Sequence, residues 1–257
     1  MTDEFAGRVA VITGAGGGIG RATALAFAQR GATVVVVDID GEAAETTARE
    51  VEAAGAAATV SVTDMGNSGQ VEAMVAATLA THGRLDVLHN NAGISGFTGG
   101  RLAEVDEELF DEVVRVNVKG VWLGMKFAIP AMIERGGGCI VNTASTLGLV
   151  GQRFSAIYAG TKHAVIGLTK TAAIEYGCEG VRVNAVCPGG IETPIVQNFR
   201  QTFTDEEWQQ RTTAAFPATG RYGRAEEIAG VVVFLCSDAA SNIHGAAMPV
   251  DGGYTAQ

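Results

Sequence analysis

Seven short apolar runs alternate with longer stretches of helical pattern, and this alternation constrains the fold more than any other feature of the chain. The runs are Arg8–Thr13 (RVAVIT), Thr33–Val37 closing on Asp38, Ala57–Val62, Leu85–His89, Cys139–Val141, Val181–Val186 and Ala246–Val250. Runs this short and apolar on both faces suit strands covered on both sides, and strands separated by helices pair in parallel. Between them the pattern predicts helices over 21–30 with Gly31 as the stop, Glu42–Ala54 capped by Asp40, Asn67–Thr81, Asp106–Glu134, a helix starting near Ser155, and Glu226–Cys236. The long Asp106–Glu134 helix crosses Asn117 and is expected to bend or break near Pro130. The expectation is an α/β chain: a single doubly wound parallel seven-stranded sheet with helices on both faces, residues 1–257 forming one domain. Residues 191–220 lack a clean period and are expected to form a loop with short helices.

Composition narrows the function classes. The 257 residues are 47% hydrophobic and 18% charged, with a net charge of −10. Nucleic acid and anionic membranes call for concentrated Lys and Arg, so neither is an expected partner. Cys139, Cys178, Cys187 and Cys236 show no CxxC spacing and are expected to be reduced thiols, with no metal site. The acidic start, Met1-Thr2-Asp3-Glu4, has no apolar signal segment, and no run reaches the ~18 residues of a membrane span. A cytoplasmic protein is expected.

The first chemical signal follows the first strand. Gly14, Gly18 and Gly20 stand between strand and helix as T-G-x-x-x-G-x-G, where a Cβ would block approach of backbone to a pyrophosphate or of helix to strand. Backbone N–H groups at the helix start can then bind phosphate. Asp38 ends the second strand eighteen residues after Gly20, the place for a carboxylate that accepts hydrogen bonds from a ribose diol. That carboxylate repels a 2′-phosphate, and Ala15, Gly17 and Ile39 offer no cation to offset it, so NAD is expected over NADP.

The second signal is Cys139–Lys162. A strand ends in Thr143-Ala144-Ser145, and Tyr158 and Lys162 lie four apart on the next helix, stacked on one face. With Thr13-Gly14-x-x-x-Gly18-Ile19-Gly20, Asn90-Asn91-Ala92-Gly93, Asn117, Ser145-x-x-Gly148, Tyr158-x-x-x-Lys162 and Pro188-Gly189 in this order, the chain resembles the short-chain dehydrogenase/reductase family over essentially its whole length. The resemblance implies a Rossmann fold and a secondary alcohol/ketone oxidoreductase working by direct hydride transfer. It makes Tyr158 the general acid/base and Lys162 the cation that lowers its pKa and bonds the nicotinamide ribose. Ser145, selected over Thr143 by the spacing to Gly148, would position the substrate oxygen, and Asn117 would hold a relay water. Cofactor contacts would come from Gly14, Gly18, Ile19, Gly20, Asp38, Ile39, Asp64, Met65, Asn91, Ala92, Gly93, Tyr158, Lys162, Pro188, Gly189, Ile191 and Thr193.

Specificity is expected from loops at the carboxyl ends of the strands. Ser95, Thr146, Leu147, Gln152, Phe154, Gly190 and Phe199 are the candidates, under a mostly apolar lid at about 190–220. The composition favours a neutral, fairly apolar small molecule. His163 is expected to point away from the Tyr158 face, and Trp122 and Trp208 to be lone packing aromatics. Family resemblance further implies a homotetramer, which a single-chain mass by light scattering would overturn.

Overall fold

The computed structural model describes residues 3–96, 100–192 and 203–257. Among them seven strands form one parallel sheet: β1 (Val9–Thr13), β2 (Thr33–Asp38), β3 (Ala58–Val62), β4 (Val87–Asn90), β5 (Gly138–Thr143), β6 (Val181–Pro188) and β7 (Ala247–Val250). Their order is β3-β2-β1-β4-β5-β6-β7. The chain winds outward from β1 to β3, then returns to the other side of β1 to add β4. Loops leaving β1 and β4 therefore diverge, and a crevice opens at the carboxyl ends of these two strands.

Side chains alternate across each strand, so each apolar run feeds two cores. Val35 and Val37 of β2 pack with Val9 and Val11 of β1 beneath α3 (Ser68–His82), α5 (Gly120–Glu134) and α6 (Ala156–Tyr176). Val34 and Val36 pack with Ala10 and Ile12 beneath α1 (Gly18–Ala28), α2 (Gly41–Ala53) and the helix Ala225–Cys236. Each fully buried valine or isoleucine is worth ~1.5–3 kcal/mol, which is why runs with no polar face are stable here.

Two of the differences from the sequence expectation bear on the site. Leu85 and Asp86 precede β4; the Asp86 backbone already bonds Val9 O at 3.0 Å and Cys139 N at 2.9 Å, and its carboxylate accepts from Val9 N–H at 2.8 Å and clamps the Arg84 guanidinium at 2.6 and 2.7 Å. The break in the long helix is not at Pro130, which α5 carries inside it. It lies in a π-turn, Arg115–Lys119, between α4 (Glu107–Val114) and α5. A π-turn inserts one extra residue into the helical ladder. Here it swings Arg115 to Asp64 and Asn117 to Ile94, both across the crevice. No sequence feature of 115–119 signals it.

The lid region holds α7 (Asp205–Ala215), closed at its start by a Thr204–Glu207 capping box; the helix Ala225–Cys236 is then α8. Trp208 is not a lone aromatic. It stacks on Tyr222 at 5.3 Å and 7°, and Tyr222 meets Phe216 edge-on at 5.0 Å.

A close joint lies between α1 and the β1 turn, where a Cβ on Gly20 would overlap the Gly14 carbonyl and reach 2.8 Å from Asn91 Nδ2. Gly20→Ala is expected to cost ~1–3 kcal/mol through overpacking, lowering Tm by ~2–4 °C per kcal/mol. Unchanged thermal unfolding would contradict this reading of the joint.

Candidate active site

The crevice is floored by the turn after β1. Gly14 and Gly18 take positive φ (62° and 51°), which a side chain resists. A Cβ on Gly14 would stand 2.8 Å from Ala92 Cα, whereas one on Gly17 or Gly18 would enter open space. The start of α1 has no side-chain cap and no acidic residue in its first turn, while α2 and α3 are closed by Asp40 and Asn67. Bare first-turn N–H groups beside an open glycine shelf suit a phosphate. Ile19 and Gly20 stand on the first turn of α1 behind this shelf.

One hub joins this turn to β4. Thr13 Oγ1 donates to His89 O at 3.2 Å and accepts from Asn91 N at 2.9 Å and Ala92 N at 3.1 Å. The Asn91 amide returns the contact, giving Nδ2–H to Thr13 O (3.0 Å) and Gly14 O (3.2 Å). Thr13 entered the sequence reading only as the first residue of the glycine motif, and its partner His89 was not singled out, because a histidine at a strand end carries no signal of its own.

Beyond the turn lies a cavity of about 400 Å³, and it gathers many of the expected cofactor residues: Gly14, Asp38, Ile39, Asp64, Met65, Asn91, Ala92 and Gly93. Asp38 is fixed by accepting from Gly16 N (2.8 Å) and Asp40 N (3.0 Å). A carboxylate has about four lone-pair sites, so a diol can still be accepted. Exposed Ile39 forms an apolar lip. Asp64 is neither bare nor a simple strand cap. It accepts from Gly66 N at 2.9 Å and pairs with Arg115 at 2.7 and 2.9 Å. Arg115 is also clamped by Glu112 at 2.6 and 2.9 Å, and the two carboxylates, Glu112 foremost, raise its pKa further. This cation was missed from sequence because its partner is 51 residues away.

The proton-transfer group sits at the end of β5. Lys162 is buried, and its ammonium donates to Thr143 O at 2.8 Å. Burial lowers its pKa from 10.5 to about 8, opposed by the nearby Cys187. The Lys162 nitrogen lies 5.5 Å from the centroid of the Tyr158 ring. Ser145 Oγ accepts from Leu147 N at 3.1 Å, and Ser145 is close enough to the Tyr158 phenol to act against the rise of its pKa. The expected lowering of the Tyr158 pKa is not what the geometry gives. Burial raises it, and Ser145 opposes that only in part.

Asn117 lies on the helix where the sequence reading put it, and both its amide hydrogens are used while its oxygen keeps one acceptor site. It accepts from Ile94 N (2.8 Å) and donates to Ile94 O (2.8 Å) and Thr161 Oγ1 (3.3 Å). It thus pins the loop after β4 near Lys162: a Cβ on Gly93 would be 3.1 Å from Asn117 Oδ1 and 3.6 Å from Lys162 Nζ.

On the far side Pro188 ends β6, Gly189 packs on Asp251, and Gly190 faces the Phe216 and Tyr222 rings. Ile191 bridges to Gly223. Thr146 and Leu147 are buried, whereas Ser95, Gln152 and Phe154 are exposed. Phe154 holds φ of 64°, the only non-glycine positive φ among the described residues. Thr193 and Phe199 lie outside the described residues. His163 turns away to Ala159 O at 2.9 Å. All four cysteines are free, with Cys178 exposed.

Known proteins resemble this chain throughout. A family model described as Enoyl-(Acyl carrier protein) reductase matches residues 14–255. Levodione reductase of Leifsonia aquatica is 42% identical over 260 residues, covering 99% of this chain and 97% of that protein. Its crystal structure superposes with a TM-score of 0.92 at 40% identity, covering 98% and 99%. Cyclohexanol dehydrogenase of Acinetobacter sp. (strain SE19) is 40% identical, covering 100% and 98%. Carveol dehydrogenase from Mycobacterium avium in complex with NAD matches with a TM-score of 0.92 at 29% identity, covering 99% of each chain. With the sheet order, the glycine turn and the Ser145–Tyr158–Lys162 cluster, these matches establish that the chain belongs to the short-chain dehydrogenase/reductase family.

Proposed function

We propose that the protein is an NAD-dependent oxidoreductase interconverting a secondary alcohol and a ketone, with Tyr158 as the general acid/base. The observation that carries this reading is a buried ammonium 5.5 Å from the centroid of the Tyr158 ring, with Ser145 beside the phenol. The substrate is a neutral secondary alcohol of which cyclohexanol is the model, by analogy with the 40% identical cyclohexanol dehydrogenase.

Bound NAD supplies the hydride chemistry; the chain supplies position and charge. The glycine shelf and the bare start of α1 hold the pyrophosphate, and Asp38 accepts from the adenosine ribose. Among the described residues, Asp38, Asp64 and Glu112 line the cavity against the single cation Arg115, which is committed to two of them. A further phosphate there meets excess negative charge, worth ~1–4 kcal/mol for one unit pair at 4 Å. At the reacting end Ser145 donates to the substrate oxygen, and Tyr158 passes the proton to or from it. Lys162 stabilises the phenolate and stays close to its own titration point near neutrality. With its pKa raised, Tyr158 rests protonated, which suits ketone reduction at neutral pH.

Absorbance at about 340 nm with NAD and cyclohexanol, or NADH and cyclohexanone, tests this reading. Tyr158→Phe is expected to lose about 10²–10⁴-fold in kcat while still quenching or enhancing NADH fluorescence as wild type does. Oxidation should accelerate with rising pH, because Tyr158 must take a proton. Reduction should hold level from neutrality and then fall. Parallel pH slopes, or a Tyr158→Phe enzyme within a few-fold of wild type, would remove Tyr158 from the role. NADP in place of NAD is expected to lower kcat/KM by roughly tenfold or more, and Asp38→Ala to narrow that gap. A wild-type preference for NADP would reverse the assignment.

A further inference from the structure

His89 is wholly buried in β4, beneath the crevice, and the mechanism above makes no use of it. Its Nε2 lies 2.9 Å from Thr143 Oγ1, while its Nδ1 has no partner. Burial holds its pKa down to about 3, so the ring is neutral at working pH and carries one proton. The neighbours decide which nitrogen carries it. Thr143 Oγ1 donates its only hydrogen to Asn91 Oδ1 at 3.3 Å. The contact with His89 must then run the other way, Nε2–H donating to Thr143 Oγ1, with the unpartnered Nδ1 left as a bare lone pair.

A one-way chain of hydrogen bonds results. It passes from His89 to Thr143, from Thr143 to Asn91, and from the Asn91 amide to the carbonyls of Thr13 and Gly14 in the glycine turn. Thr143 has a second duty, since its carbonyl anchors the Lys162 ammonium at 2.8 Å. One residue thus joins the phosphate shelf to the buried cation, and His89 is what holds its side chain. On packing grounds alone an apolar residue would do better here, because an unpartnered buried nitrogen costs ~1–3 kcal/mol.

We propose that His89 is a positioning residue: its Nε2–H fixes the Thr143 hydroxyl, and through it both the Asn91 amide beneath the cofactor and the carbonyl that anchors Lys162. The inference rests on the proposed roles of Lys162 and the glycine turn. It also separates two otherwise similar substitutions, since Gln carries an amide N–H to the Nε2 position and Asn carries one only to the Nδ1 position, where no acceptor waits.

The test compares His89→Leu, His89→Gln and His89→Asn in the full-length protein. The readouts are thermal unfolding, NADH affinity by fluorescence titration, and the pH profile of cyclohexanol oxidation. The expected result is a Leu variant at least as stable as wild type that binds NADH about 3- to 10-fold more weakly, the loss of one hydrogen bond. Its oxidation profile should be displaced along the pH axis. Gln should restore affinity and profile to within about twofold, and Asn should not. Equal function in all three variants would overturn the proposal, as would losses that simply track Tm. NADH affinity needs no turnover, so a wild type that binds NADH but oxidises no alcohol would refute the proposed function while the His89 comparison still reads out.

Discussion

A buried ammonium is the constraint around which this site is built. Removing a charge from water costs several kcal/mol unless hydrogen bonds compensate. Lys162 has one protein partner close by, the Thr143 carbonyl at 2.8 Å, at the carboxyl end of a central strand. The arrangement requires β5 and α6 to be set against each other with little freedom, and Gly148 shows how little there is. A Cβ on that residue would stand 2.8 Å from the Lys162 carbonyl. Burial acts on the nearby phenol as well and raises its pKa.

The rest of the fold brings distant segments to the Thr143 carbonyl. The reversal of winding between β1 and β4 opens the crevice, and the Thr13 hydroxyl ties its two banks together. The π-turn adds a third wall. One extra residue in the helical ladder lets Arg115 neutralise Asp64 at the cavity end while Asn117, two positions on, holds both backbone groups of Ile94. Such turns recur where a helix must present side chains that regular geometry would turn away. Residues far apart in sequence thus meet around the crevice.

Much of this was legible in the chain, and the limits have physical causes. Runs such as TVVVVD could be assigned because a strand covered on both faces has no polar alternation to confuse it with an exposed one. Gly14, Asp38, Ser145, Tyr158 and Lys162 were legible because their chemistry depends on spacing along single turns and helices. Arg115 and His89 were not: the first reads as a solvated helical arginine and the second as the end of an apolar strand. Each acquires its meaning only from a partner more than fifty residues away. The π-turn left no trace either, since Pro130 gave the more obvious reason for a break and the helix absorbed it. The direction of the Tyr158 shift differs for a similar reason, because spacing places a lysine beside a tyrosine but does not show how deeply the fold buries both.

The most direct measurement is the titration of Lys162 itself. The chain has only four lysines, so isotope-labelled lysine side chains can be followed individually by NMR, with Lys162→Met identifying the signal. A midpoint near 8 is expected, the mark of an ammonium buried beside Tyr158. A midpoint at the ordinary 10.5 would mean that the cation is solvated and would contradict the account of the site.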